Sequence, residues 1–206
     1  YLLRRPGSEL PRPRVLYYGA FCESVLDNTD KSNAYIDEFF GLHADRADDE
    51  TKAELLKIKA DNLMRLYRYS ESAALTRRIL TDYAGALDDQ EKGELQNNLH
   101  LWQTVADVPE QSVKIETQAV IPCARNSFNH LIVEVGTQAG RAPFIFDTGA
   151  NLSTISESYA QKLGMSIREA SVEVNTSTGM KLRTRMAVAD KFDVGGLEFE
   201  NVVFLV

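Results

Sequence analysis

Apolar positions recur along this chain with two different periods, and the change falls at Val113. Before it, hydrophobic side chains return every three or four residues, the spacing that gathers them on one face of a helix. After it they alternate with polar ones, the spacing that puts them on one face of a strand. Turn and capping residues divide the stretch from 14 to about 107 into five helices. The first covers 15–25. Asn28-Thr29-Asp30 opens a second carrying Ala34, Phe39, Phe40 and Leu42, and Asp48-Asp49 opens a third with acids at the favourable end of the helix dipole. In the third, Leu56, Ala60, Leu63 and Tyr67 make one continuous face. The fourth carries Leu75, Ile79, Leu80 and Tyr83 and is closed by Gly85. Asp88, with Glu91 three residues on, predicts a capping box for the fifth, whose inner face is Leu95, Leu99, Trp102 and Val105.

The alternating region predicts strands at 113–122 and at 130–135, the latter ending at Gly136. Gly140 turns the chain into a third strand through Phe144-Ile145-Phe146. A short helix at 156–163 closes at Gly164. Residues 170–206 then read as two hairpins, turning at Ser177-Thr178-Gly179-Met180 and at Gly195-Gly196. The expected architecture is therefore an extended, proline-bearing leader at 1–13, an all-α domain of helical hairpins at 14–110, and an all-β domain at 111–206.

Charge changes this picture in one respect. Of the net −7, the 110 residues of the leader and helical part carry −6, so the acid excess lies outside the β domain. That balance argues against a nucleic-acid partner, which needs clustered Lys and Arg. No apolar run reaches the length of a membrane span. Two cysteines are too few for a disulfide scaffold or a zinc site, and Cys22, among Ala20, Phe21 and Val25, reads as a small buried hydrophobe. A bridge to Cys123 stays open at this level. The three histidines, at 43, 100 and 130, show no ligand spacing, and no metal or other cofactor is expected.

The chemistry concentrates at one place. The run Phe144-Ile145-Phe146 delivers Asp147 into a turn formed by Thr148 and Gly149, with Ala150 leaving space beside it. A strand interior disfavours Asp, so a carboxylate at its end calls for solvent or a use. One carboxylate near its usual pKa is a poor base at neutral pH and cannot also serve as the acid. Two that share a proton divide the roles. No second Asp-Thr-Gly or Asp-Ser-Gly occurs in the chain, since Asp193-Val194-Gly195 lacks the hydroxyl, so the partner Asp147 is expected from a second copy.

Asp147-Thr148-Gly149-Ala150, the strand before it, the hydroxyl of Ser153, and Ile155-Ser156 leading into a helix resemble the retropepsin-like aspartic proteases. The resemblance implies an acid-protease barrel in which Asp147 is the catalytic acid and base. It implies that Thr148 bonds across to the partner loop, that Gly149 admits substrate, and that Ala150 lies against it. The hairpin tip Thr178-Gly179-Met180 takes the place of the mobile flap. Members of that family continue into an apolar pair and a Gly that brace the catalytic loop, so the domain reads as truncated at Val206. In the helical half, Ala60, Leu63, Tyr69 and Ser72 have a spacing similar to a tetratricopeptide repeat, with a generic helical bundle as the other reading.

The sequence thus points to an aspartic endopeptidase acting as a homodimer on peptide or protein substrates, with a possible protein partner on the helices. The alternative is a helical-repeat interaction protein whose β domain holds peptides without cleaving them. Resemblance to bacterial exported members of the family implies the periplasm or cell envelope, with the signal upstream of Tyr1 and the cytoplasm left open.

Overall fold

The structure is a computed structural model that describes residues 10–115, 120–150, 152–175 and 181–206; for 171–175 and 181–183 it describes the backbone alone. The chain divides into two compact units, 1–106 and 107–206.

Among its described residues the first unit contains five α-helices: α1 (Arg12–Val25), α2 (Thr29–His43), α3 (Asp49–Arg65), α4 (Tyr69–Asp82) and α5 (Asp89–Thr104). α1 begins inside the expected leader because proline is tolerated in a first helical turn, where its missing N–H has no partner to lose; Pro11 is the N-cap and Pro13 lies in that turn. The capping box at Asp88 is formed: Asp88 Oδ1 accepts from Glu91 N at 2.8 Å, and Glu91 Oε2 accepts from Asp88 N at 3.0 Å. Asp48 caps α3 by accepting from Thr51 N at 2.7 Å. Asn28 occupies the N-cap of α2 but donates from its side chain to Glu23 instead.

Some sequence expectations fail here for local reasons. Gly85 is not a left-handed cap, because α4 tightens into a 3-10 turn over Ala84–Ala86. Tyr67 lies past the end of α3 with φ +60, so it leaves the Leu56, Ala60, Leu63 face. Leu42 is exposed, and so is Cys22, on the side of α1 turned away from Leu16 and Ala20. Both cysteines are free.

The helices repeat with an offset of 40 residues. Leu26 and Leu66 end α1 and α3 with the same dihedrals, Asp27 and Tyr67 follow at φ +61 and +60, and α2 and α4 then begin at Thr29 and Tyr69. Ser32 Oγ donates to Ala20 O at 2.7 Å, and Ser72 Oγ donates to Ala60 O at 2.8 Å. Asp48 and Asp88 cap the following helices. Leu55 and Ile58 of α3 pack on Leu16, Ala20, Ile36 and Phe39 of the first hairpin. Leu95 of α5 packs in the same manner on Ala53, Leu56 and Ile79 of the second. Between the first hairpin and α3, fully buried Asn62 accepts from Ser24 Oγ and donates to Ser32 Oγ and Asn33 Oδ1, all within 2.9 Å.

The second unit is an antiparallel sheet with one helix: β1 (Ser112–Lys114), β2 (Cys123–Arg125), β3 (Leu131–Thr137), β4 (Gly140–Ile145), α6 (Glu157–Lys162), β5 (Ser166–Asn175), β6 (Lys181–Val194) and β7 (Leu197–Leu205). The path runs β1-β7-β6-β3-β2, with β4 paired to β3 and β5 to β6; it does not close into a barrel among the described residues. Glycines turn the β6–β7 hairpin as expected, Gly195 at φ +59 and Gly196 at φ +91, where a side chain would be strained. Inward-facing Val133, Val135, Ala142, Ala187 and Ala189 form the core with Ala160 of α6 and with Leu163 just past its end. Phe144, Phe192 and Phe204 meet edge to face within it at 5.1–6.2 Å, the geometry that aromatic quadrupoles favour.

Candidate active site

The site is built from the end of one strand and the start of one helix. β3 and β4 form a tight hairpin in which Thr137 pairs with Gly140 and Ile132 with Ile145. Phe146 N donates to Leu131 O at 2.8 Å, one rung further, and the chain then leaves the sheet carrying Asp147. Gly149 N donates to Asp147 Oδ1 at 2.9 Å, and Ala150 N reaches Asp147 O at 3.4 Å. The result is an Asx turn. It engages one carboxylate oxygen and leaves the other open among the described residues, with Asp147 exposed. A Cβ on residue 149 would lie 3.4 Å from Asp147 Oδ1, an ordinary contact.

The far side of the loop is anchored as well. Leu205 N donates to Ser153 O and Ile155 N to Leu205 O, both at 2.9 Å, so 153–155 runs parallel to the end of β7. Ile155 is buried there. Ser156 precedes α6, whose Glu157 receives both guanidinium nitrogens of Arg185 from β6, at 2.5 and 2.6 Å. This pair holds the Glu157 carboxyl below its usual range. Gly164, at φ +66, closes the helix as the sequence predicts.

Between these anchors lies a cleft of about 530 Å³. One wall is Pro143 to Asp147; the other is Leu152 to Ser156 with Tyr159 and Ala150. Its rim is apolar and wet, with Ile145 56% and Phe146 51% exposed.

Of the residues singled out in the sequence, Asp147, Thr148, Gly149 and Ala150 form one exposed turn. Ser153 joins it through its backbone, by way of Leu205. Thr178, Gly179 and Met180 lie outside the described residues; β5 and β6 lead to and from them. Sequence reading missed Tyr159 and the Glu157–Arg185 brace. Tyr159 was legible as an apolar ring one turn past the loop, whereas an ion pair between residues 28 apart leaves no local signal. Among the described residues no three His, Cys, Asp or Glu converge as they would around a metal ion, and no helix is long and apolar enough to cross a membrane.

Residues 132–206 match the family model described as aspartyl protease. The match begins in β3 and takes in β4, the Asp147 turn, α6 and the strands β5 to β7, so this part of the β unit is similar to an aspartyl protease domain. The helical unit lies outside it. Comparison with curated proteins and with solved structures finds no match.

Proposed function

We propose that the protein is an aspartic endopeptidase in which Asp147 from each of two copies forms one catalytic dyad. The observation that carries this reading is the exposed Asp147 carboxylate. It sits in an Asx turn anchored at Leu131 on one side and Leu205 on the other, with one oxygen free to meet a partner. A lone carboxylate in that position hydrolyses nothing. Two brought together cannot both ionise, and aspartic proteases are the best-known example of such a pair. The ionised member takes a proton from water as the water attacks the scissile carbonyl. The protonated member donates to the carbonyl oxygen, and the proton then passes to the leaving amine. Thr148 bonds across the two-fold axis, Gly149 and Ala150 admit the substrate backbone, and the hairpin carrying Thr178, Gly179 and Met180 closes over it and excludes water.

The cleft between β4 and 153–156 suits one extended apolar segment, such as the bracing segment of retropepsin-like enzymes. Its filling would cover Ile145 and Phe146 and stiffen the turn from below. The helical unit supplies a repeat surface for a protein partner. Its 40-residue offset is longer than the roughly 34 residues of a tetratricopeptide repeat. The compartment we infer is the periplasm or cell envelope.

The test is cleavage of a mixed peptide library from acid to neutral pH, by this chain and by a form continuing past Val206, each with its Asp147→Asn variant. Hydrolysis should fall roughly 10³-fold or more in the variant, the scale of a lost general acid–base group, with the melting temperature held. Turnover should also rise faster than linearly with protein concentration near the dimer dissociation constant. Undiminished hydrolysis by Asp147→Asn would remove Asp147 from the mechanism.

A further inference from the structure

We propose that the junction between the second helical hairpin and α5 is a binding recess for an arginine side chain of a partner polypeptide.

The 40-residue offset supplies the comparison. At the first junction the amide of Asn62 fills the space between the helices: its Nδ2 donates to Ser32 Oγ at 2.8 Å, while Ser32 Oγ itself donates to Ala20 O. At the second junction Ser72 is buried like Ser32 and makes the equivalent bond to Ala60 O, but among the described residues no group donates to its oxygen. The residue equivalent to Asn62 is Trp102, whose ring stacks on Tyr69 with 5.7 Å between centres. A recess of about 270 Å³ opens between α3, α4 and α5, with Ser72 and Trp102 both in its lining. That is room for one long side chain.

The chemistry of the walls selects the occupant. Ile36 and Ile58 of the first junction have Thr76 and Asn98 as their equivalents in the second, and both line the recess. Thr76 is buried, and its hydroxyl donates to Ser72 O at 2.8 Å, so its oxygen is left to accept. Three carboxylates, those of Asp61, Glu91 and Glu94, face one cation, Lys57. Arg65 pairs with Asp61 at 2.8 Å and Lys57 with Glu91 at 2.5 Å. Glu94 accepts from neutral Gln90 at 2.9 Å and has no cationic partner among the described residues. The recess thus offers hydroxyl acceptors at its floor, an indole ring in its wall and an unbalanced carboxylate. A guanidinium answers all three, with planar N–H groups for the oxygens and a flat cation for the ring and the carboxylate. Asn62 sets the precedent within this fold, since the group it presents to the equivalent serine is also a planar amide donor. The inference rests on reading the helical unit as a partner surface and does not depend on peptide cleavage.

Trp102 is the one tryptophan of the chain, so its fluorescence reports on the recess. Titration of the full chain with the tripeptide acetyl-Ala-Arg-Ala-amide should give a saturable change in emission, half complete on the order of 1 mM, the scale of a single side chain. The matching lysine tripeptide should bind several-fold more weakly, and so should free arginine, whose own carboxylate meets the acidic wall. Glu94→Gln, at an exposed position, should weaken binding of the arginine tripeptide roughly fivefold with the melting temperature unchanged, and the difference should shrink in high salt. No change in emission, or equal binding of the arginine and lysine tripeptides, overturns the proposal; tighter binding of free arginine overturns the polypeptide partner. Arginine binding that Glu94→Gln leaves intact overturns the recess while keeping a partner surface elsewhere on the helices. Binding lost in Glu94→Gln from a chain that never cleaves peptide upholds the proposal while the dyad fails.

Discussion

The junction between the first helical hairpin and α3 and the turn after β4 both place polar groups where the chain changes direction, and they treat them in opposite ways. Around Asn62 every donor and acceptor is answered from within: Ser24, Ser32 and Asn33 meet its amide, and Ser32 also bonds Ala20 O. Around Asp147 one carboxylate oxygen is met by Gly149 N, and two large apolar side chains stand in water beside it. A closed network of buried polar groups fixes one packing. An open carboxylate with an apolar rim leaves both at the surface, where neither fixes the packing around it.

Four substitutions would break or sharpen this contrast. The largest effect is expected for Asn62→Ala, which strands the hydroxyl of Ser24, takes a donor from Ser32 and Asn33, and opens a cavity; a loss of about 3 kcal/mol should appear in thermal unfolding followed by circular dichroism. A loss well under 1 kcal/mol would show that water replaces the amide and that the junction is not closed. Gly195→Ala comes next, at about 1–2 kcal/mol, since φ is +59 and the new methyl would lie 2.8 Å from Ile121 Cγ2. Glu157→Gln should give a smaller, pH-dependent difference. The folded-state pKa of Glu157 is lowered, chiefly by its hydrogen bonds from Arg185, so its contribution is full above the ordinary carboxylate range and disappears as pH falls through the lowered value. The melting-temperature gap between wild type and Glu157→Gln should therefore be widest near neutral pH and close in acid; a gap that grows in acid would contradict the brace. Smallest of all, Phe146→Ser should change stability by no more than about 0.5 kcal/mol, because its ring is half in water, yet it should impair peptide cleavage. A large stability loss there would mean the rim is already occupied.

What could be read from the sequence divides along similar lines. The capping box at Asp88, the glycine turn at 195–196, the left-handed Gly164 and the strand leading to Asp147 were legible because each depends on neighbours a few residues away. Cys22 was misplaced because its apolar neighbours suggested a core that lies on the other side of α1. The 40-residue offset went unread although its copies share Leu16/Leu56, Ala20/Ala60, Leu26/Leu66 and Ser32/Ser72, and although Asp48, Asp49, Lys52, Glu54 and Leu55 recur as Asp88, Asp89, Lys92, Glu94 and Leu95; most positions between these matches differ, including a left-handed residue that is Asp in one copy and Tyr in the other. The links that hold the Asp147 turn, Phe146 to Leu131 and Ser153 and Ile155 to Leu205, join peptide groups, which carry no side-chain signature at all.

The β3–β4 hairpin finally sets a rule about length that its side chains do not reveal. Thr137 pairs with Gly140 around a two-residue turn, and the ladder then counts residues one by one up to Phe146. Extra residues at Gln138-Ala139 would leave every later pair in place. One residue lost or gained between Arg141 and Phe146 would bring Asp147 out of the sheet on the opposite face. Descendants of this sequence can therefore vary the turn freely in length, while the short run from Arg141 to Asp147 can change its letters but not its count.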